Sequence, residues 1–117
     1  RTVSGGSYWA QNVNLPVEYT SANSTKQDFR ITRGLSTYLD SKLTSRNLTY
    51  NNHIHGVSPE TMKNNRYLKA FYNVVYTSDS PRDGKRFVAL MEAKDMPLYG
   101  FQFHPEGWAS SSTQRKA

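Results

Sequence analysis

Apolar and polar positions alternate in several short segments of the chain, which predicts strands more often than helices. Residues 13–19 alternate in this way, and Pro16 within them indicates an edge strand. Residues 50–55 form a second extended segment, which Gly56 closes. The remaining predicted strands lie later in the chain, at residues 73–76, 87–92 and 97–103.

Two segments show helical features instead. Thr32 is a residue type that caps helices, and it precedes a stripe of apolar residues at helical spacing. The members of this stripe are Leu35, Tyr38, Leu39 and Leu43. Ser58 followed by Pro59 is typical of a helix start, with serine as N-cap and proline at the first helical position. We therefore predict one helix after Thr32 and another after Ser58.

The other segments read as loops and turns. Residues 1–12 contain a Gly-Gly pair and are predicted to be loop, and residues 78–85 are dense in turn-forming residues. Residues 107–117 (GWASSSTQRKA) are polar and aperiodic, so we expect them to be disordered. The predicted ordered part of the chain is then residues 1–106.

Composition limits what the chain does alone. An apolar fraction of 36% in 117 residues gives a thin core, and the first residue is Arg1, so we expect a piece of a larger domain. The chain has no cysteine, which excludes disulfides, thiolate metal ligands and a cysteine nucleophile from these residues. The net charge of +6 favours polyanionic partners, but the basic residues are scattered as on a solvated surface. No apolar run reaches the ~18 residues that a membrane span needs.

Two asparagines stand in N-glycosylation sequons, Asn23-Ser-Thr and Asn47-Leu-Thr. A single sequon is common by chance, whereas two in a short chain raise the expectation of a protein of the secretory pathway. We therefore predict glycosylation at Asn23 and Asn47.

The triplet His104-Pro105-Glu106 follows the last predicted strand and is the strongest candidate for chemistry. Proline disfavours a helical backbone at His104, and residues i and i+2 of an extended segment point to the same side, roughly 6.5–7 Å apart. A glutamate there can bind one imidazole nitrogen and leave the other free to act as a base. This is the base-and-acid part of a nucleophile, base and acid triad. A His-x-Glu triplet alone is also compatible with an ordinary surface pair.

The sequence around this triplet resembles the gamma-glutamyl hydrolase family. The run VALMEAKDMPLYGFQFHPE (residues 88–106) is similar to the end of that family's catalytic domain. Similar blocks precede it in the same order: NHIHGVSPE (52–60), LKAFYNVVYT (68–77) and NVNLP (12–16). The resemblance covers most of residues 12–106 and identifies the chain as the C-terminal half of such an enzyme.

The resemblance implies both a fold and roles for residues. The fold is α/β, part of a three-layer α/β/α sandwich with a mostly parallel sheet, as in class I glutamine amidotransferases. His104 matches the family's base, Glu106 the acid that orients it, and His53 a histidine that contacts substrate. The nucleophilic cysteine and the oxyanion hole of the family lie upstream of the matched region. Family members also continue past the His-Pro-Glu triplet into a helix, whereas this tail is polar.

The resemblance also implies a substrate and a setting. The reaction is thiol-dependent cleavage of gamma-glutamyl bonds in folates that carry a poly-gamma-glutamate tail, an omega-peptidase activity that needs no cofactor or metal. The expected partners are that small molecule and the missing N-terminal half of the domain. Nucleic acid and membrane are not expected as partners, and the resemblance is compatible with a homodimer. The expected location is the lysosome, the vacuole or the extracellular space.

Other function classes remain open at this point. A metal-dependent protein could use three histidines and a glutamate as ligands: His53, His55, His104 and Glu106. A basic nucleic-acid-binding module is another alternative, although no aromatic-rich RNA-binding strand or basic helical stripe is present. A serine hydrolase would need a G-x-S-x-G elbow, which the sequence lacks. A catalytically inactive relative that only binds ligand fits the same residues, because the nucleophile position is not in the chain.

Overall fold

The computed structural model describes residues 6–105, as six strands, three α-helices and one 3-10 helix. The strands are β1 (Gly6–Leu15), β2 (Glu18–Tyr19), β3 (Thr49–Gly56), β4 (Tyr72–Asp79), β5 (Arg86–Ala93) and β6 (Tyr99–Phe101). The α-helices are α1 (Thr37–Ser45), α2 (Pro59–Asn64) and α3 (Arg66–Phe71), and the 3-10 helix is Lys26–Asp28. The disorder predicted for residues 107–117 concerns residues outside this range.

The strands form two antiparallel sheets. One contains β1 and β3, and the other has the order β2-β4-β5-β6. Every strand pair within residues 6–105 is antiparallel, so the predicted mostly parallel sheet of an α/β/α sandwich is wrong. A parallel pair needs a long crossover, usually a helix, that returns to the same sheet. Here the helical connection from β3 to β4 changes sheet, while β4, β5 and β6 follow one another through short turns.

The core lies around β5. Four consecutive residues of this strand, from Phe87 to Leu90, are buried, which means that both of its faces are covered. Val17 and Val75 are fully buried beside it, and Ala10 of β1 joins the same cluster. A backbone hydrogen bond next to Phe87 connects the two sheets. The amide of Val88 donates to the carbonyl of Val57, just after β3 (2.7 Å).

The first predicted helix starts later than the sequence pattern indicates. Its N-cap is Ser36, whose hydroxyl accepts from the amide of Leu39, and not Thr32. Thr32 is buried, and its hydroxyl donates to the carbonyl of Lys26 (2.8 Å). The reason is a long-range contact: the carboxylate of buried Glu92 accepts from the amides of Arg30 (3.0 Å) and Ile31 (2.8 Å). These two amides precede Ser36 in the chain and are held by β5. The helix therefore starts only after them.

The loop predicted for residues 1–12 is wrong from residue 6 onward, because β1 begins at Gly6. The pairing of β1 with β3 shifts register between Ser7 and Ala10 and again between Ala10 and Val13. Asn12, between the second pair, has a positive φ of 51°. Each irregularity interrupts the alternation of side chains, so the sequence pattern does not show a strand there.

The start of α2 and the turn after β4 agree with the sequence, whereas α3 was not predicted. Ser58 caps α2, accepting from the amide of Thr61, and proline occupies the start of that helix. The turn between β4 and β5 closes with Gly84 at φ +75°, a conformation that favours glycine. The last strand is shorter than predicted, ending at Phe101. None of the helices within residues 6–105 has the length and apolar character that a bilayer crossing requires.

Candidate active site

Strand β3 places His53 against the core. Thr49, Asn51 and His53 lie at alternate positions of the strand, and their side chains are buried or half-buried, whereas Asn52 is exposed. Alternate residues of a strand point to one face of its sheet. The face that carries His53 is therefore the one packed toward the second sheet.

The imidazole of His53 is held by two neighbours. Its Nε2 lies 3.0 Å from Oδ1 of Asn51. Its ring meets the ring of Phe87 edge to face, with 4.8 Å between centroids. Gly56 permits this approach of β3 to β5, because a Cβ at that position would lie 3.3 Å from Tyr8 Cβ and 3.5 Å from Phe87 Cβ.

Burial lowers the pKa of His53 below its usual value. The backbone of His55 and of Tyr8 raises this pKa by a smaller amount, and the charge of His104 lowers it further. The histidine is therefore neutral near pH 7, and the two histidines are close enough to interact electrostatically.

His104 lies just beyond β6, where the chain returns to β3. Its amide donates to the carbonyl of Tyr50 (2.9 Å), and the rings of Tyr50 and His104 are 6.0 Å apart. The side chain is half-buried. The structure therefore brings His104, from the segment that follows β6 of the other sheet, to the strand that carries His53. Glu106, the predicted acid, lies outside the described residues.

The third histidine does not join this group. His55 is exposed at the end of β3. Among residues 6–105, no three His, Cys, Asp or Glu side chains lie close enough together to hold a metal ion. The histidines therefore do not form a ligand set with one another in the described part of the chain.

Both sequon asparagines are accessible. Asn23 follows β2 in an irregular segment, and Asn47 lies between α1 and β3; each is exposed. Their positions leave room for a glycan, and the modification itself stays a prediction.

Two residues of this site were not identified from the sequence, Asn51 and Phe87. Asn51 precedes His53 by two positions. In a strand this spacing puts both side chains on one face, so the sequence could have indicated Asn51 as a neighbour of His53. Phe87 is 34 residues away from His53 in the chain, and only the docking of the two sheets brings the rings together.

The comparisons with known proteins give one consistent set of relatives. Gamma-glutamyl hydrolase B of Dictyostelium discoideum is 33% identical over 97 residues, which are 83% of this chain and 27% of the relative. Probable gamma-glutamyl hydrolase 3 of Arabidopsis thaliana is 40% identical over 74 residues, 60% of this chain and 21% of that protein. Gamma-glutamyl hydrolase of Rattus norvegicus is 36% identical over 96 residues, 81% of this chain and 28% of that protein. No protein-family model matches the chain. The chain thus spans 21–28% of the length of these curated relatives.

Proposed function

Because this chain is homologous to a segment of the gamma-glutamyl hydrolases, we propose that it supplies the base and a substrate-contacting histidine of such an enzyme. The observation that carries the proposal is that His104 is hydrogen-bonded to Tyr50 of β3, the strand that carries His53, in a chain with these relatives. In this proposal His104 is the base, Glu106 orients it, and His53 contacts the substrate. The cysteine nucleophile comes from a segment outside this cysteine-free chain.

The proposed reaction is hydrolysis through a thioacyl enzyme. A cysteine thiolate adds to the carbonyl carbon of the gamma-amide, and the imidazole of His104, which has taken the thiol proton, gives it to the departing amine. Water then attacks the thioester carbonyl while His104 accepts its proton, which releases the gamma-carboxyl product and restores the thiol. His53 takes no part in these proton transfers, which agrees with its burial and lowered pKa.

The proposed substrate is a folate with a poly-gamma-glutamate tail. Each added glutamate of such a tail keeps a free alpha-carboxylate, so the substrate is polyanionic, and the net charge of +6 on this chain favours its approach. The charge is a weak support, since it suits other polyanions equally well. The relatives are the stronger support, because their names give the class of bond that is cleaved.

The activity is tested on the complete protein with a folate poly-gamma-glutamate as substrate. We expect release of glutamate or of short gamma-glutamyl peptides. A thiol-alkylating reagent should abolish this release and a metal chelator should not, because the chemistry depends on a thiolate. Loss of activity with the chelator alone would favour the metal-dependent alternative. Tight substrate binding without any turnover would identify an inactive relative.

We further propose that the protein passes through the secretory pathway to a lysosome, a vacuole or the extracellular space. When it is expressed in a eukaryotic secretory host, at least one of Asn23 and Asn47 should carry a glycan, because both are exposed. Peptide mass spectrometry before and after glycosidase treatment measures this. Asn23→Gln and Asn47→Gln each remove one sequon at an exposed position, and Asn64→Gln, an exposed asparagine outside both sequons, is the control. Two unmodified asparagines after secretion would contradict the proposed route.

A further inference from the structure

Asn51 is almost completely buried on β3, at 1% exposure, and both polar atoms of its side-chain amide are engaged. Its Nδ2 lies 3.0 Å from the carbonyl oxygen of Thr49, two residues earlier. Its Oδ1 lies 3.0 Å from Nε2 of His53, two residues later. A buried amide with both ends bonded is fixed in orientation, since rotation would lose both hydrogen bonds without replacement by water.

The orientation of this amide is decided by Thr49. A backbone carbonyl only accepts hydrogen bonds, so the donor end of the amide, Nδ2, must face it. The acceptor end, Oδ1, is then the atom that faces His53. Because Oδ1 cannot donate, the short contact at 3.0 Å is attractive only when Nε2 of His53 carries the proton.

We propose that Asn51 is a positioning residue that holds His53 in the Nε2–H tautomer, so that Nδ1 is the only ring nitrogen that binds or releases a proton. The importance of this tautomer rests on the proposed function, in which His53 contacts the substrate. The hydrogen bonding itself rests on the structure alone.

The surroundings of the ring agree with this assignment. Nδ1 of His53 is buried and makes no hydrogen bond of ordinary geometry within residues 6–105, although backbone groups of Tyr8 and His55 lie near enough to the ring to raise its pKa. Burial also lowers the pKa of the ring, so that near pH 7 it carries a single proton, and Asn51 determines which nitrogen holds it. The edge-to-face contact with Phe87 fixes the ring plane, and the hydrogen bond to Asn51 fixes its rotation.

Nitrogen NMR of the histidine rings tests the proposal directly. The chain contains three histidines, so a ¹⁵N-histidine-labelled sample of the full 117-residue chain gives few signals, and His55→Gln and His104→Gln assign them. Near neutral pH we expect His53 to show a protonated Nε2 and an unprotonated Nδ1. A proton found on Nδ1, or a ring averaged equally between the two forms, would overturn the proposal.

Variants of Asn51 separate positioning from a merely structural role. Asn51→Leu has similar size but no acceptor, and we expect it to remove the preference for the Nε2–H form. Asn51→Asp keeps an acceptor facing Nε2 and should keep the proton on that nitrogen, while its negative charge also favours the doubly protonated ring. Asn52→Leu is the matched control, because Asn52 is the exposed neighbour on the same strand, and it should leave the His53 signals unchanged. An unchanged tautomer in Asn51→Leu would overturn the proposal, and the wild-type spectrum decides the tautomer even where that variant does not fold.

The NMR readout does not depend on turnover, so the tautomer of His53 is tested separately from the proposed hydrolase function. A protein without hydrolase activity in which His53 is still the Nε2–H tautomer would support this inference and contradict the proposed function. An active hydrolase in which His53 carries its proton on Nδ1 would do the reverse.

Discussion

Replacing His104 with asparagine in the complete protein is expected to abolish hydrolysis of a poly-gamma-glutamyl substrate. Asparagine approximates the shape of the imidazole but cannot accept and return a proton, so both the acylation and the deacylation steps lose their base. Loss of the base of a hydrolytic triad typically costs about 10⁴-fold or more in kcat. The measurement is the rate of product release under saturating substrate, with circular dichroism confirming that the variant folds. Near-normal turnover would end the thiol-hydrolase proposal.

The neighbouring variants should follow an order set by their roles. Glu106→Gln is expected to be less severe than His104→Asn while still costing orders of magnitude, because the glutamate only orients and stabilises the imidazolium. His53→Asn should raise KM more than it lowers kcat, because that histidine transfers no proton. His55→Asn is the matched control: it changes the exposed histidine of the same strand and should leave the rate unchanged. A reversed order, with His53 more critical to kcat than His104, would exchange the two proposed roles.

Removing the carboxylate of Glu92 is expected to cause the largest loss of stability among single substitutions at polar positions. Glu92 is 4% exposed and accepts two amide hydrogen bonds, from Arg30 and Ile31. Hydrogen bonds to a charged group contribute roughly 1.5–3 kcal/mol each, and Glu92→Ala would also leave two amide donors without their acceptor. We therefore expect the free energy of unfolding to fall by about 3–5 kcal/mol. Urea unfolding of wild type and variant, followed by near-UV circular dichroism, measures the difference.

Asp95→Ala is the control for this substitution. It removes the same charge three residues later in the chain, at an exposed position, and should change stability by no more than about 0.5 kcal/mol. Glu92→Gln keeps one acceptor oxygen and should fall between the two. If Glu92→Ala proves as mild as Asp95→Ala, the segment from Arg30 to Ile31 is held by other contacts and not by this carboxylate.

The sequence predicted local elements better than their assembly. The start of α2 and the turn at Gly84 follow from residues within a few positions of each other, and both are confirmed. The start of α1 was misplaced because Glu92, which is 62 and 61 residues away in the chain, fixes the backbone at Arg30 and Ile31. The sheet was predicted to be mostly parallel from the family resemblance, whereas every described ladder is antiparallel. A pattern of apolar residues shows which segments are strands, but it carries little information on which strands pair or in which direction.

For the candidate site, the sequence singled out residues by their chemical type and by the family resemblance. His53 and His104 were predicted from the motif blocks, and the structure brings both to β3. Asn51 was missed because a buried asparagine in a strand looks like an ordinary polar position until its two hydrogen bonds are seen. Phe87 was missed because its ring meets His53 only through the docking of one sheet on the other. The catalytic roles of His104 and Glu106 and the substrate contact of His53 stay predictions.

The backbone hydrogen bond from His104 to Tyr50 forms late in folding and is among the first contacts exposed to local opening. The two residues are separated by a loop that includes two helices and three strands, so the bond forms only after that long loop has closed. Strand β6, which leads to His104, has three residues and lies at the edge of its sheet. Short edge strands open at a small fraction of the global unfolding free energy. Fraying of β6 would therefore carry the imidazole away from β3 while β4 and β5 stay paired. Under the proposed function, activity would then be lost by local opening well before the protein unfolds.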